Sequence, residues 1–196
     1  MKFTLTILFS IFLLSAFSQK RKTYFPVWTI HQKNINIYGL SAGLWNFSNE
    51  DRNTVSNGIR IALIGEGIIA PFAPTGPSMI EDSMFQKINK ETFSEKINGI
   101  NLAGTGNLGD YIINGISLGF VGQLNAKVNG ISAALMVNYA GVHNGIQLAV
   151  FFNDTYKMRG IQVGMCNKSK HTKGLQIGFW NINERRKLPI LNWNFK

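Results

Sequence analysis

The residues best suited to chemistry are few and widely spaced in this chain. It holds three histidines, His31, His143 and His171, and one cysteine, Cys166. A zinc site needs three or four such ligands, each about 2.1 Å from the ion. No spacing typical of such a site occurs, and neither an HExxH nor a P-loop motif is found. We therefore expect neither a metal centre nor another cofactor.

Two further features could suggest chemistry. The segment "GTGNLG" at Gly104–Gly109 has the glycines of a dinucleotide loop, but it opens no βαβ unit. The acidic pairs Glu50-Asp51 and Glu81-Asp82 have no positioned partner, so solvated charge explains them better. The sequence offers no catalytic constellation and predicts a protein that is not an enzyme.

A repeated phrase organises the chain instead. "GIQVGMCN" from Gly160 returns as "GLQIGFWN" from Gly174, and six earlier phrases are related to them. If the glycine is position zero, position one is Ile or Leu, position two is polar, and position four is Gly or Ala in all eight copies. The last five spacings are 16, 15, 15, 15 and 14 residues. A fixed period of this kind indicates a repeat architecture. The eight copies begin at Gly39, Gly58, Gly99, Gly115, Gly130, Gly145, Gly160 and Gly174.

Each copy has the alternation of a β-strand. Positions one, three and five are apolar, as in Ile161, Val163 and Met165, which predicts a strand with this apolar face buried. An Asn-Gly pair opens most copies and predicts a corner, because both residues tolerate positive φ. Position minus two is often apolar as well, but with the wrong parity for the same face. The chain should therefore bend at the corner.

The repeat predicts an all-β fold with units of about 15 residues. We favour a β-solenoid-like stack, because every copy has the same corner and nearly the same connection length. The alternative is an antiparallel β-barrel, whose strands are also apolar on alternate residues. The ending "LPILNWNF" resembles the aromatic-terminated last strand of outer-membrane barrels.

One insertion interrupts the array. We predict a single β-repeat domain over residues 19–196, with a proline-rich and helical insertion at about 66–96. Pro71, Pro74 and Pro77 disfavour regular structure there. Ser78 and Glu81 form a capping-box pair, and the apolar spacing after them predicts a short helix over about 79–89.

Two polar columns of the repeat are candidate interaction sites. Position two, with small residues beside it, predicts a flat polar stripe along which a polysaccharide could lie; a solvated face is the alternative. The turn asparagines predict a structural ladder between neighbouring coils. The stripe comprises Ser117, Ser132, Gln147, Gln162 and Gln176, and the turn asparagines are Asn46, Asn138, Asn153, Asn167 and Asn181.

The first residues have the form of an export signal. Lys2 is followed by the apolar run Phe3–Leu14 and by Ala16-Phe17-Ser18, which predicts a signal peptide over residues 1–18. The apolar run is shorter than the ~20 residues of a membrane-spanning helix. A single cysteine excludes an intramolecular disulfide, and we expect Cys166 to act as a small buried hydrophobe.

The chain is strongly basic, with a formal net charge of +10. An exported protein rarely meets nucleic acid, so we expect none as a partner. An anionic envelope polymer, a polysaccharide, lipid headgroups or another envelope protein are better candidates. Association with a membrane is consistent with the same charge.

The phrases "NGIQLAVFFN", "RGIQVGMCN" and "KGLQIGFWN", with the ending "KLPILNWNF", resemble a bacterial envelope surface-repeat family of spirochaetes and Bacteroidetes. The resemblance covers about residues 36–195. It implies export to the cell envelope, whether outer membrane, cell surface or periplasm, and it brings no catalytic residues. We therefore expect a structural or interaction role; an outer-membrane barrel acting as pore or anchor is the alternative.

Overall fold

The structure is a computed structural model that describes residues 21–47, 52–73, 75–88 and 93–196. The predicted signal peptide and the acidic residue pair at 50–51 lie outside these ranges. Eleven strands form one sheet. They are β1 (Lys22–Tyr24), β2 (Val27–Thr29), β3 (Ile35–Asn46), β4 (Thr54–Gly65), β5 (Glu95–Ala103), β6 (Leu108–Gly119), β7 (Gly122–Ala134), β8 (Val137–Ala149), β9 (Phe152–Val163), β10 (Cys166–Ile182) and β11 (Lys187–Asn194).

The strands pair in the order of the chain. From β3 to β10 each strand is parallel to the next, and β1 and β2 both pair with β3, also in parallel. Among the strands of the described ranges, only β11 is antiparallel, to β10. Successive coils therefore stack on one another, and the predicted β-solenoid is confirmed. The antiparallel alternative is wrong.

The register places the repeat glycines in one column. Gly130 pairs with Gly145, and Gly145 with Gly160, in successive coils. Gly145 has φ +133°, and a Cβ atom there would lie 2.0 Å from the carbonyl oxygen of Gly130. Only glycine satisfies both the backbone conformation and the close approach of the neighbouring coil. The corner predicted from Asn-Gly is therefore present.

The corner asparagines stabilise this column. Each donates from Nδ2 to Oδ1 of its counterpart one coil earlier, over 2.7–2.8 Å, from Asn144 back to Asn57. Parallel in-register stacking permits such a ladder because identical side chains repeat at the strand spacing of about 4.8 Å.

The structure places the polar positions of each strand inside the coil and the apolar positions outside, opposite to the prediction. In the coil of Gly145, the inward side chains are His143, Gln147 and Ala149, at positions minus two, two and four. Ile146 and Val150, at positions one and five, are 37% and 49% exposed. The prediction of a buried apolar face over positions one, three and five is thus wrong. Polar side chains can occupy the narrow interior because most of them find hydrogen-bond partners there or one coil away.

Position four carries only Gly or Ala because this position points into the coil. A Cβ atom on Gly164 would lie 2.7 Å from Nδ2 of Asn153, and one on Gly178 would lie 2.6 Å from Nδ2 of Asn167. The amide side chains cross the end of the coil at this point. A larger side chain at position four would displace them.

The insertion covers the outside of the coils before the corner. It contains two 3-10 helices, Glu66–Phe72 and Pro77–Met79, and the helix α1 over Asp82–Ile88. The helix begins at Asp82 rather than at the predicted residue 79. The Ser78 hydroxyl does not cap it; it donates to the Asp154 carboxylate of β9 over 2.9 Å.

Candidate functional site: the outward apolar face

The predicted polar stripe lies inside the coils. Ser117, Ser132, Gln147, Gln162 and Gln176 are all 0% exposed. Because no ligand can reach these side chains, the expected exposed stripe is corrected to an internal polar column.

The internal column is a hydrogen-bonded ladder. The Gln176 amide donates to Gln162 over 2.8 Å, and the Gln162 amide donates to Gln147 over 2.9 Å. Ser132 and His143 bond over 2.8 Å between Oγ and Nε2. These contacts connect neighbouring coils and satisfy groups that would otherwise be costly to bury.

The turn asparagines form a second ladder, as predicted, in the last coils. Asn153 donates to Asn167, and Asn167 to Asn181, each over 2.8 Å. Asn46 instead donates to Asn107 over 3.1 Å, and Asn138 donates to the Leu148 carbonyl over 3.0 Å. All of these amides are buried, so their role is structural.

A buried ion pair was not predicted. Arg60 of β4 donates from Nε to Glu95 of β5 over 2.9 Å, and both residues are 0% exposed. Ser56 donates to the other oxygen of Glu95 over 2.8 Å, and Arg60 also donates to Asn101. The sequence pointed to this ion pair only through Arg60, a charged residue at position two, where the other copies carry Ser, Asn or Gln. Enclosure on all sides makes this pair a structural element rather than a reactive one.

The titratable groups likewise give no reactive cluster. Burial lowers the pKa of His143 from its ordinary 6.5 to about 4, so the imidazole is neutral at pH 7. Hydrogen bonds from Tyr156 and Lys170 lower the pKa of Asp82 to about 2. Cys166 is half-buried rather than fully buried. Among the residues that the structure describes, no three His, Cys, Asp or Glu side chains converge on a point where a metal ion could bind.

The surface that stands out is the outer side of the strand segments after the corner. We call it the apolar face: the side chains at positions one, three and five of the eight copies. None of these positions carries a polar or charged residue in any copy. At position one, Ile116, Ile131 and Ile146 are each 37% exposed. At position five, Phe120 is 69% exposed and Phe179 77%.

The apolar face is continuous across neighbouring coils. Eight strands about 4.8 Å apart, with five residues of about 3.3 Å each, give roughly 35 Å by 15 Å, on the order of 500 Å². Its middle is slightly concave, between Leu63, Leu102, Leu118 and Leu135. The largest apolar patch of a typical monomer is about 300–600 Å², and patches of this size are often functional.

The two long borders of the apolar face differ in chemistry. The border at the turns carries exposed aromatic rings, among them Trp45, Phe151 and Trp180. The border at the corner carries the asparagine ladder, which Arg159 and Lys173 replace in the last two coils. No helix within the described ranges is long and apolar enough to cross a bilayer.

Comparison with models of protein families, with curated proteins and with solved structures found no match to this chain. The resemblance to the surface-repeat family stays a prediction, and the function has to be argued from the apolar face itself.

Proposed function

We propose that this chain is an exported protein of the bacterial cell envelope with an interaction role and no catalysis, and that it holds its partner through the apolar face. The observation that carries the proposal is the complete lack of polar side chains at the outward positions of eight successive copies. A solvated sheet face would normally alternate polar residues outward.

Such a face is costly to leave in water. At about 25 cal/mol per Å², covering roughly 500 Å² would contribute on the order of 10 kcal/mol before the costs of association. The strands do contain many polar residues, but these lie in the interior of the coils. Their placement inside and the apolar residues outside favour a surface shaped for contact.

The envelope location rests on the sequence. The apolar run after Lys2 has the form of a signal peptide, and the repeat phrases resemble those of envelope surface proteins. A single cysteine agrees with a fold stabilised by ladders rather than by disulfides.

The test is cell fractionation with two matched double variants. Ile116→Glu with Ile146→Glu places two carboxylates on the apolar face, two coils apart, with Ile131 between them. Met79→Glu with Met84→Glu makes the same charge change at side chains of the insertion that are 59% and 55% exposed. We expect the wild type and the insertion variant in the envelope fraction, and the face variant released from it. Circular dichroism would check that both variants are folded.

Two results would contradict the proposal. If the face variant remained in the envelope as firmly as the wild type, the apolar face would not hold the partner. If the wild type stayed in the cytoplasm, the proposed location would be wrong.

A further inference from the structure

We infer that the partner of the apolar face is the surface of an anionic lipid leaflet, on which the solenoid lies with its apolar side chains inserted. This inference rests on the proposed function, because it names what covers the same face. Three features of the molecule favour it: the area of the face, its basic border and its aromatic border.

The area and the charge disfavour a second copy of the chain. A standard protein interface buries about 800 Å² on each partner, whereas the apolar face offers roughly 500 Å². Each copy also has a formal net charge of +10, so two copies would repel each other during approach. A lipid leaflet needs no matching surface, and an anionic one attracts the chain.

The basic border lies where headgroup phosphates would be. Arg159 and Lys173 occupy the corner column directly beside Ile161 and Leu175 of the apolar face. Lys157 and Lys196 line the same surface hollow as these two cations, together with His171 and Glu184. Lys or Arg side chains close to an anionic membrane strengthen binding appreciably, each adding several-fold.

The arginine in this column has a structural cost that supports a role outside the fold. The asparagine ladder ends at Asn144, whose Oδ1 is buried and accepts no hydrogen bond from any described residue. An asparagine at 159 would continue the ladder, as at four earlier steps. The chain instead places an exposed cation there, next to the apolar face.

The aromatic border suits the opposite edge of the same contact. Phe151 and Trp180 of this border are exposed by 43% and 41%, and Phe120 and Phe179, at the adjoining position five of the apolar face, by 69% and 77%. Large aromatic rings favour the boundary between headgroups and acyl chains. An apolar face between a basic and an aromatic border resembles, in its chemistry, the surface of an amphipathic helix that lies in a membrane interface.

The experiment is vesicle sedimentation with the purified chain. One set of vesicles contains phosphatidylglycerol and phosphatidylethanolamine in equal parts, and the other contains phosphatidylcholine alone. We expect at least about tenfold tighter binding to the anionic vesicles at low salt, with the difference reduced at high salt. Ile116→Glu with Ile146→Glu should abolish binding to both.

A second pair of variants tests the basic border. Arg159→Gln with Lys173→Gln should weaken binding to the anionic vesicles about tenfold or more and leave binding to phosphatidylcholine unchanged. Lys22→Gln with Lys187→Gln makes the same charge change at the two ends of the stack and should have a much smaller effect. Urea melts of each variant would show that the fold is retained.

Three outcomes would overturn the inference. Equal binding to both vesicle types, insensitive to Arg159→Gln with Lys173→Gln, would show an apolar contact without recognition of anionic lipid. A dimer in sedimentation equilibrium that Ile116→Glu with Ile146→Glu dissociates, without vesicle binding, would identify a second copy. Absence of vesicle binding, with envelope retention still dependent on the face, would indicate a protein partner and leave the proposed function intact.

Discussion

At the scale of single residues, the interior of the coil holds His143 as a neutral imidazole. The side chain is 0% exposed, bonds Ser132 through Nε2, and has no charged partner among the contacts described. Its pKa of about 4 lies below the ordinary 6.5 of the unfolded chain. Between these two values the unfolded state binds a proton that the folded state does not. Stability should therefore fall as the pH drops from 6.5 towards 4.

The first prediction concerns this pH dependence. The variant His143→Met should remove up to about 3 kcal/mol of the acid-induced loss of stability. Methionine is chosen because Met158 occupies the same position one coil later. Urea melts at pH 7 and pH 4.5 measure the loss for wild type and variant. Equal slopes for wild type and His143→Met would contradict the assignment.

The second prediction concerns the end of the asparagine ladder. Arg159→Asn should supply the missing donor to Oδ1 of Asn144 and raise the free energy of unfolding by about 1 kcal/mol. For a chain of this size, that is a rise of roughly 2–4 °C in the thermal midpoint. Arg159→Ala removes the same cation without adding an amide and should bring no gain. A gain with alanine as large as with asparagine would show that the charge, not the ladder, was responsible.

At the scale of elements, the corner and the insertion depend on different contacts. The corner depends on a backbone approach that excludes any Cβ atom. From Pro77 onward the insertion is docked by side chains of β9 and β10: Ser78 on Asp154, Asp82 on Tyr156 and Lys170, and Phe85 stacked on Tyr156 at 3.6 Å. The first 3-10 helix packs its Ala70 against β8. The two elements can therefore be disrupted independently.

The third prediction addresses the corner. Gly145→Ala should destabilise the fold by about 3 kcal/mol or more, because alanine disfavours φ +133° and its methyl group would collide with the Gly130 carbonyl. Val150→Ala removes an exposed side chain from the same coil and should cost less than about 1 kcal/mol. Thermal melts of both variants make the comparison. A small loss at Gly145 would mean that the coils can separate at this point.

The fourth prediction addresses the insertion. The Asp154 carboxylate accepts hydrogen bonds from the Ser78 amide at 3.0 Å and from its hydroxyl at 2.9 Å. Asp154→Ala leaves both donors unpaired, at a cost of about 1–3 kcal/mol, so the undocked population should rise by about fivefold or more. Limited proteolysis within residues 66–88 measures this rise. The β signal in circular dichroism should stay unchanged, and Glu81→Ala, on the exposed side, should have no effect.

At the scale of the whole molecule, each coil contacts mainly its two neighbours. Stability should then be close to a sum over coils and their interfaces. The antiparallel β11 covers part of the last coil, through pairs such as Leu175 with Trp193. Such a covered edge is typical of stacks that remain separate from one another, since open strand edges pair readily.

The fifth prediction removes one coil. Deletion of residues 145–159 joins Asn144 to Gly160, which takes the place of its register partner Gly145. The β signal should be retained with a lower midpoint, but the insertion should become sensitive to protease because Asp154 and Tyr156 are lost. Deletion of residues 160–173 removes one coil and keeps both of these residues. It loses the contact of Lys170 with Asp82 but keeps those of Asp154 and Tyr156, so the insertion should be less affected. Loss of the β signal in both deletions would contradict the additive stack.

Much of the architecture was determined by the sequence alone. The glycine period, the Asn-Gly corner and the uniform connections were sufficient to predict a stack of equivalent coils, because each follows from local backbone conformation and repeats at every copy. The ladder of Asn153, Asn167 and Asn181 was predictable for the same reason.

Only the tertiary structure decided which face of the strand is inside. Alternation along a strand defines two faces but not which of them is buried. The usual preference for buried apolar residues led to the wrong face. Gln147, Gln162 and Gln176 can be buried because each finds its partners across the coil or in the next one, which requires the stack to exist first. The docking of Ser78 on Asp154 joins residues 76 positions apart, so no local pattern could indicate it. The outward position of the apolar face, and with it the proposed membrane contact, follows from the stacking of the coils.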